Sequence, residues 1–169
     1  MTKKILMLTA AFALAATSAL AQGKPDKNSQ KFIKTAIQHN YAEIDVGKLA
    51  QEKGTNPAVK QFGAMLVKDH GDANGKAQSV AKQINVDPPT SADLGHQASY
   101  LKLKILQGDT FDKSFIKGMV KDHENDVKEF RKQAGKNDPA GAHAKEVLPH
   151  LQDHLSEAKR IQAQLNKKK

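Results

Sequence analysis

The chain has 169 residues, with 27 Lys and Arg against 18 Asp and Glu, no cysteine and only 5% aromatic side chains. Disulfides, thiolate chemistry and a lipidated cysteine anchor are excluded, and the length suits one domain that buries about 70% of its unfolded surface without covalent staples. Basic residues are spread along every segment with few aromatics between them, the pattern of a solvated surface, so no nucleic-acid partner is expected.

Lys3 and Lys4 precede an apolar run from Ile5 to Ala16, and Ala19-Leu20-Ala21 offers small residues to a signal peptidase. The run is too short to act as a stop-transfer helix, so residues 1–21 read as a signal peptide cleaved before Gln22. The mature chain is then periplasmic or secreted. It carries no apolar span and no alternating strands, so integral membrane insertion is not expected, while peripheral association with the envelope is compatible with the sequence. Residues 22–28 read as a disordered lead-in.

From there the pattern is helical. A first segment, about Ser29 to Lys53, carries Phe32, Ile33, Ala36, Ile37 and Ile44 on one stripe and stops at Gly54. The second opens with Asn56 as N-cap and Pro57 at the first helical position, with apolar residues at three- and four-residue steps from Val59 to Ile84. Asn85-Val86-Asp87-Pro88-Pro89 breaks the chain. A short helix, about Ala92 to Gln107, presents Leu94, Ala98, Leu101 and Leu106. The third long segment runs from about Thr110 to Ala134, and the fourth starts at Asp138-Pro139 and carries Val147 to Leu165, with a kink expected at Pro149. The expected fold is all-α: a four-helix bundle over residues 29–166 with a short connecting helix between the second and third long helices, followed by a basic tail at 167–169.

Val67-Lys68-Asp69-His70 recurs as Val120-Lys121-Asp122-His123, and Asp-His returns at Asp153-His154. At 100° per residue, His70, His123 and His154 fall on or beside the apolar stripes, and Glu43 is the most core-directed carboxylate of the first segment. Each lies near the midpoint of its segment, so the four meet at one level whatever the topology. One carboxylate and three imidazoles have the ligand type and number of a site for one transition-metal ion, with zinc, copper and iron as candidates. Asp69, Asp122 and His150 sit at the stripe edges, as extra ligands or as acceptors that orient the imidazoles. The alternative is a structural or envelope-interaction protein whose histidines form a hydrogen-bonded core layer and nothing more. His39 lies further round its wheel, and His96 and His143, at segment starts, read as surface residues.

Catalysis finds no support. The serines lack a nucleophile-elbow context, and the glycines form no phosphate-binding loop, so no catalytic residue is assigned.

The stretch Tyr41-Ala42-Glu43-Ile44-Asp45-Val46-Gly47-Lys48-Leu49-Ala50, with Asn56-Pro57-Ala58-Val59-Lys60, Met65 to His70, Phe111-Asp112 and Leu148 to Leu155, resembles DUF4142, a family of exported bacterial proteins of unknown function. Its members are often labelled outer-membrane proteins and grouped with ferritin-like folds. The resemblance covers roughly residues 28–165 and implies a ferritin-like bundle, without implying an activity. Carboxylate di-iron chemistry does not follow from it. That site wants Glu-x-x-His on two helices, and here Val67, Val120 and Leu151 stand three residues before the histidines.

Overall fold

Side-chain caps define where helices begin. In the computed structural model, which describes residues 25–167, Asp26 caps α1 (Lys27–Lys53) by accepting from the Ser29 amide at 2.7 Å. The helix thus starts inside the stretch read as a lead-in, because Asp26 is the better cap. Asn56 caps α2 (Pro57–Gln83), with proline at the first position as expected. The end of α2 is a Schellman motif: Asn85 takes a left-handed φ of 55°, and the Val86 amide reaches back to the Ala81 carbonyl at 2.8 Å. Asp93 caps α3 (Leu94–Lys104), and α4 (Gly108–Ala134) and α5 (Pro139–Lys167) complete the chain. The export signal read at residues 1–21 lies outside the described residues.

Among the described residues the fold is all-α, with four long helices and a short one between the second and third. α1 pairs with α2 and α4 with α5 as hairpins; α2 lies against α5, and α1 against α4. α5 continues through Pro149, which is exposed, so the carbonyl its missing N–H leaves free belongs to exposed Lys145 and meets water.

Two contacts fix this frame. α1 and α2 touch at Gly47 and Gly63, where a Cβ on Gly63 would stand 2.6 Å from the Gly47 carbonyl oxygen and 2.9 Å from the Ala50 Cβ. Asp112, fully buried on α4, accepts from the Thr55 hydroxyl at 2.6 Å and the Asn56 amide at 2.8 Å, tying the α1–α2 turn to the second hairpin. Around this turn lies one apolar cluster, including Leu49, Phe62, Leu66, Phe115, Met119 and Ile161. At the other end Ile33, Ile37, Ala81 and Ala140, with Phe130, Ala144 and Leu151, form the remaining core. Between the two ends lies a polar layer containing Asn40, Glu43, His70, His123, Asp126 and His154.

α3 departs from its expected packing. Leu94 and Leu101 are 83% and 62% exposed, and no residue of α3 is buried. The side facing α1 and α4 is that of His96, Tyr100 and Leu103, spaced one helical turn apart, together with Leu106 beyond the helix end.

The Gly47–Gly63 contact yields a test. Gly63→Ala must push two backbones apart, since no flexible side chain can give way. Urea unfolding should show a loss of about 1–3 kcal/mol; unchanged stability would mean the helices do not meet this closely.

Candidate metal centre

His70 sits at the midpoint of α2, and His123 and His154 lie within two residues of the midpoints of α4 and α5. All three are buried, with ring centroids 5.7 Å apart for His70–His123 and 5.3 Å for the other two pairs. One nitrogen from each lies within 4.8 Å of the others. The Phe62 ring closes the side towards the turn, 6.4 Å from His123 and 6.3 Å from His154.

The hydrogen bonds fix the tautomers. His123 Nδ1 lies 3.0 Å from the Met119 carbonyl oxygen, which only accepts, so the proton is on Nδ1 and Nε2 carries a lone pair. His154 Nε2 lies 3.1 Å from the Asp69 carboxylate, so Nε2 donates and Nδ1 carries the lone pair. His70 Nδ1 donates to Asn40 Oδ1 at 2.9 Å, and His70 Nε2 is buried without a partner among the described residues. Each imidazole therefore spends its proton outwards and turns a lone pair inwards. The clearest consequence is His123 Nε2 against His154 Nδ1 at 3.3 Å, two acceptors with no proton between them while both rings are neutral.

The electrostatics keep them neutral. Burial, with the neighbouring His123 and His154, holds His70 well below the usual histidine value. Burial and His154 bring His123 down to about 4. Burial lowers His154 as well, although the bond to Asp69 pulls the other way. Burial works against the Asp69 carboxylate, but bonds from His154 and Lys68 outweigh it and keep it below its ordinary range. Asp69 thus acts as the acceptor that orients His154. A cleft of about 100 Å³ between α2 and α5 reaches His70 and His154 and is bordered by Asp69 and exposed His150.

Glu43 is buried in the same layer but stands on the far side of His123, with Oε1 3.9 Å from Nδ1, the nitrogen already given to Met119. It does not join the three inward nitrogens. A helical wheel places it in the core correctly; it cannot say which edge of a neighbouring ring it meets. Burial, with Asp126 and Asp122 nearby, raises the Glu43 carboxyl well above its ordinary value, and Oε2 has no hydrogen-bond partner. Asp122 is also remote from the three nitrogens and lines a different cavity, with Glu43 and His96.

Asn40 and the Met119 carbonyl escape sequence reading. Asn40 had a signal, falling on the inner stripe three residues after Ile37, whereas a backbone carbonyl has none. His96 and His143 are not the surface residues expected. His143 is buried with its ring 6.4 Å from Phe130, because the first turn of α5 enters the core behind Pro139 and Ala140. His96 is half-buried against His39, their centroids 4.6 Å apart.

His123 in the metal-free chain should make stability fall with acid. Its folded pKa lies below that of an unfolded histidine near 6.5, so the unfolded state takes up the proton first as pH drops. The contribution is complete above about 6.5 and is lost towards about 4. Glu43 and His39, both shifted upwards, act in the opposite sense, so a difference measurement isolates the ring. Relative to His123→Leu, the wild type should lose on the order of 3 kcal/mol across that window; a difference independent of pH would refute the buried neutral ring.

The DUF4142 family model, described as a domain of unknown function, matches residues 14–161. In three dimensions the chain is similar to the crystal structure of a DUF305 fragment from Deinococcus radiodurans, with a TM-score of 0.74 and 11% identity over 84% of this chain and 99% of that one. At that identity the likeness speaks for the helical fold alone. No curated protein matches the sequence. With the family model covering most of its length, the chain belongs to the DUF4142 family.

Proposed function

We propose that this is an exported, non-catalytic helical-bundle protein that binds one transition-metal ion between His70, His123 and His154. The observation that carries the reading is the convergence of three lone pairs, each created by an outward hydrogen bond to Asn40, Met119 or Asp69. Acceptors behind ligating imidazoles are how proteins orient such rings and raise their basicity. A hydrogen-bonded core layer would instead put a donor against each acceptor, and the 3.3 Å contact between His123 and His154 lacks one. A cation, whether a proton or a metal ion, relieves that contact.

Three neutral nitrogens suit zinc or copper, and with no carboxylate joining them an iron site is less well served. Burial disfavours imidazolium, so the lone pairs are free for a metal ion at neutral pH. The cleft beside His150 supplies an approach, and water entering there would complete four-coordination. Export rests on the pattern of residues 1–21. Among the described residues, no helix is long and apolar enough to cross a membrane.

Tag-free protein, stripped with chelator and titrated with zinc and with copper(II), tests the reading. Calorimetry should find a site tighter than micromolar that His70→Ala and His123→Ala abolish and Asp69→Asn weakens about 10–100-fold. The copper(II) form should show nitrogen hyperfine structure in its electron paramagnetic resonance spectrum. Affinity only in the millimolar range, indifferent to His123→Ala, would leave the layer as a core feature.

A further inference from the structure

On the other side of His123 lies a second group of donors, built on different residues. His39 of α1 and His96 of α3 pack with ring centroids 4.6 Å apart, and one atom each from His39, Asp93 and His96 lie within 4.8 Å of one another. Each ring is held by a carboxylate on Nδ1: His39 by Asp126 at 2.9 Å and His96 by Asp93 at 2.5 Å. Neither Nε2 has a hydrogen-bond partner among the described residues, and on a neutral ring bound in this way Nε2 carries the lone pair. Beside His96, in a cavity of about 250 Å³ between α1, α3 and α4, stand Asp122 and Glu43. Glu43 brings a buried oxygen with no hydrogen-bond partner among the described residues.

We infer that His39 and His96 form a second metal site, separate from the three-histidine centre, that takes a divalent ion of the zinc class and clamps α3 to the bundle. Mixed imidazole and carboxylate donors suit such an ion, whereas a purely carboxylate site would suit magnesium or calcium. Asp93 is the carboxylate grouped with the two imidazoles, and Glu43 and Asp122 line the cavity beside His96.

The clamp has something to hold. α3 contributes no buried residue, turns Leu94 and Leu101 to solvent, with Ile105 exposed just past its end, and contacts the bundle through His96, Tyr100 and Leu103. Few buried contacts mean low local stability, so a bond from α3 to α1 would change how readily the segment opens.

Zinc titration of the full, tag-free chain separates the two sites. The wild type should bind two ions, His123→Ala one, His39→Gln with His96→Gln one, and the combined variant none. Zinc should slow proteolysis within residues 85–107 in the wild type and in His123→Ala, and have no effect in His96→Gln. Because α3 buries nothing, His96→Gln should keep the circular dichroism and cooperative melting of the wild type, so a loss of zinc is not a loss of fold. A single ion removed by His123→Ala, with zinc leaving cleavage of α3 unchanged, would overturn the second site and spare the first. A single ion removed by His96→Gln and retained in His123→Ala would do the reverse.

Discussion

Three imidazole protons point outwards, and the rest of the centre follows from that. A neutral imidazole has one donor and one acceptor nitrogen, so committing the donor to Asn40, Met119 or Asp69 leaves the acceptor facing the bundle axis. Apolar clusters above and below, and the Phe62 ring at one side, leave the cleft between α2 and α5 as the approach to the layer. The lone pairs persist because the layer is buried, and burial likewise keeps the rings from charging.

Holding such a layer requires helices that do not slide. The Gly47–Gly63 contact brings α1 and α2 to backbone distance, which fixes the height of Asn40 relative to His70. Asp112 fastens the turn of that hairpin to α4, and so sets His123 relative to both. At the opposite end Asp138 caps α5 through the Gly141 amide and accepts from the Ser29 hydroxyl of α1, which fixes the helix carrying His154. The polar anchors at the ends are well satisfied, whereas Glu43 Oε2 and His70 Nε2 lie in the middle layer without a partner among the described residues, as do Asn74 Oδ1 on α2 and His143 Nε2 near the start of α5. Stability is therefore supplied away from the centre, where the sequence can leave polar groups without partners.

Much of this is legible from residue order. Asn56-Pro57, Asn85 and Asp138-Pro139 bound helices for reasons of backbone chemistry, and stripe position with mid-segment height brings His70, His123 and His154 together. Two kinds of fact are not legible. Which edge of a ring a neighbour meets depends on a few ångströms of helix rotation, and that separates Glu43 from the three nitrogens. The pairing of His39 with His96 depends on how α3 docks, and its apolar residues point the wrong way: Leu94 and Leu101 suggest a buried face, while the docked face is that of His96, Tyr100 and Leu103. The docked face is the one on which His96 packs against His39, and Tyr100, Leu103 and Leu106 pack against the apolar cluster.

The repeated Val-Lys-Asp-His shows how context assigns a role. In both copies the histidine turns into the bundle and the lysine is exposed. The aspartate precedes the histidine by one residue, about 100° round the helix, and so meets whatever lies on that flank. On α2 the flank faces α5, and Asp69 receives the proton of His154. On α4 it faces α3, and Asp122 lines the cavity with His96 and Glu43. The third pair loses the arrangement altogether: Asp153 is exposed while His154 is buried. Identical tetrapeptides thus supply the same inward imidazole and different partners for the aspartate, because a side chain on the seam between helices takes its chemistry from the helix across it. His123 stands where those chemistries meet, its Nε2 facing the three-histidine centre and its Nδ1 edge facing Glu43.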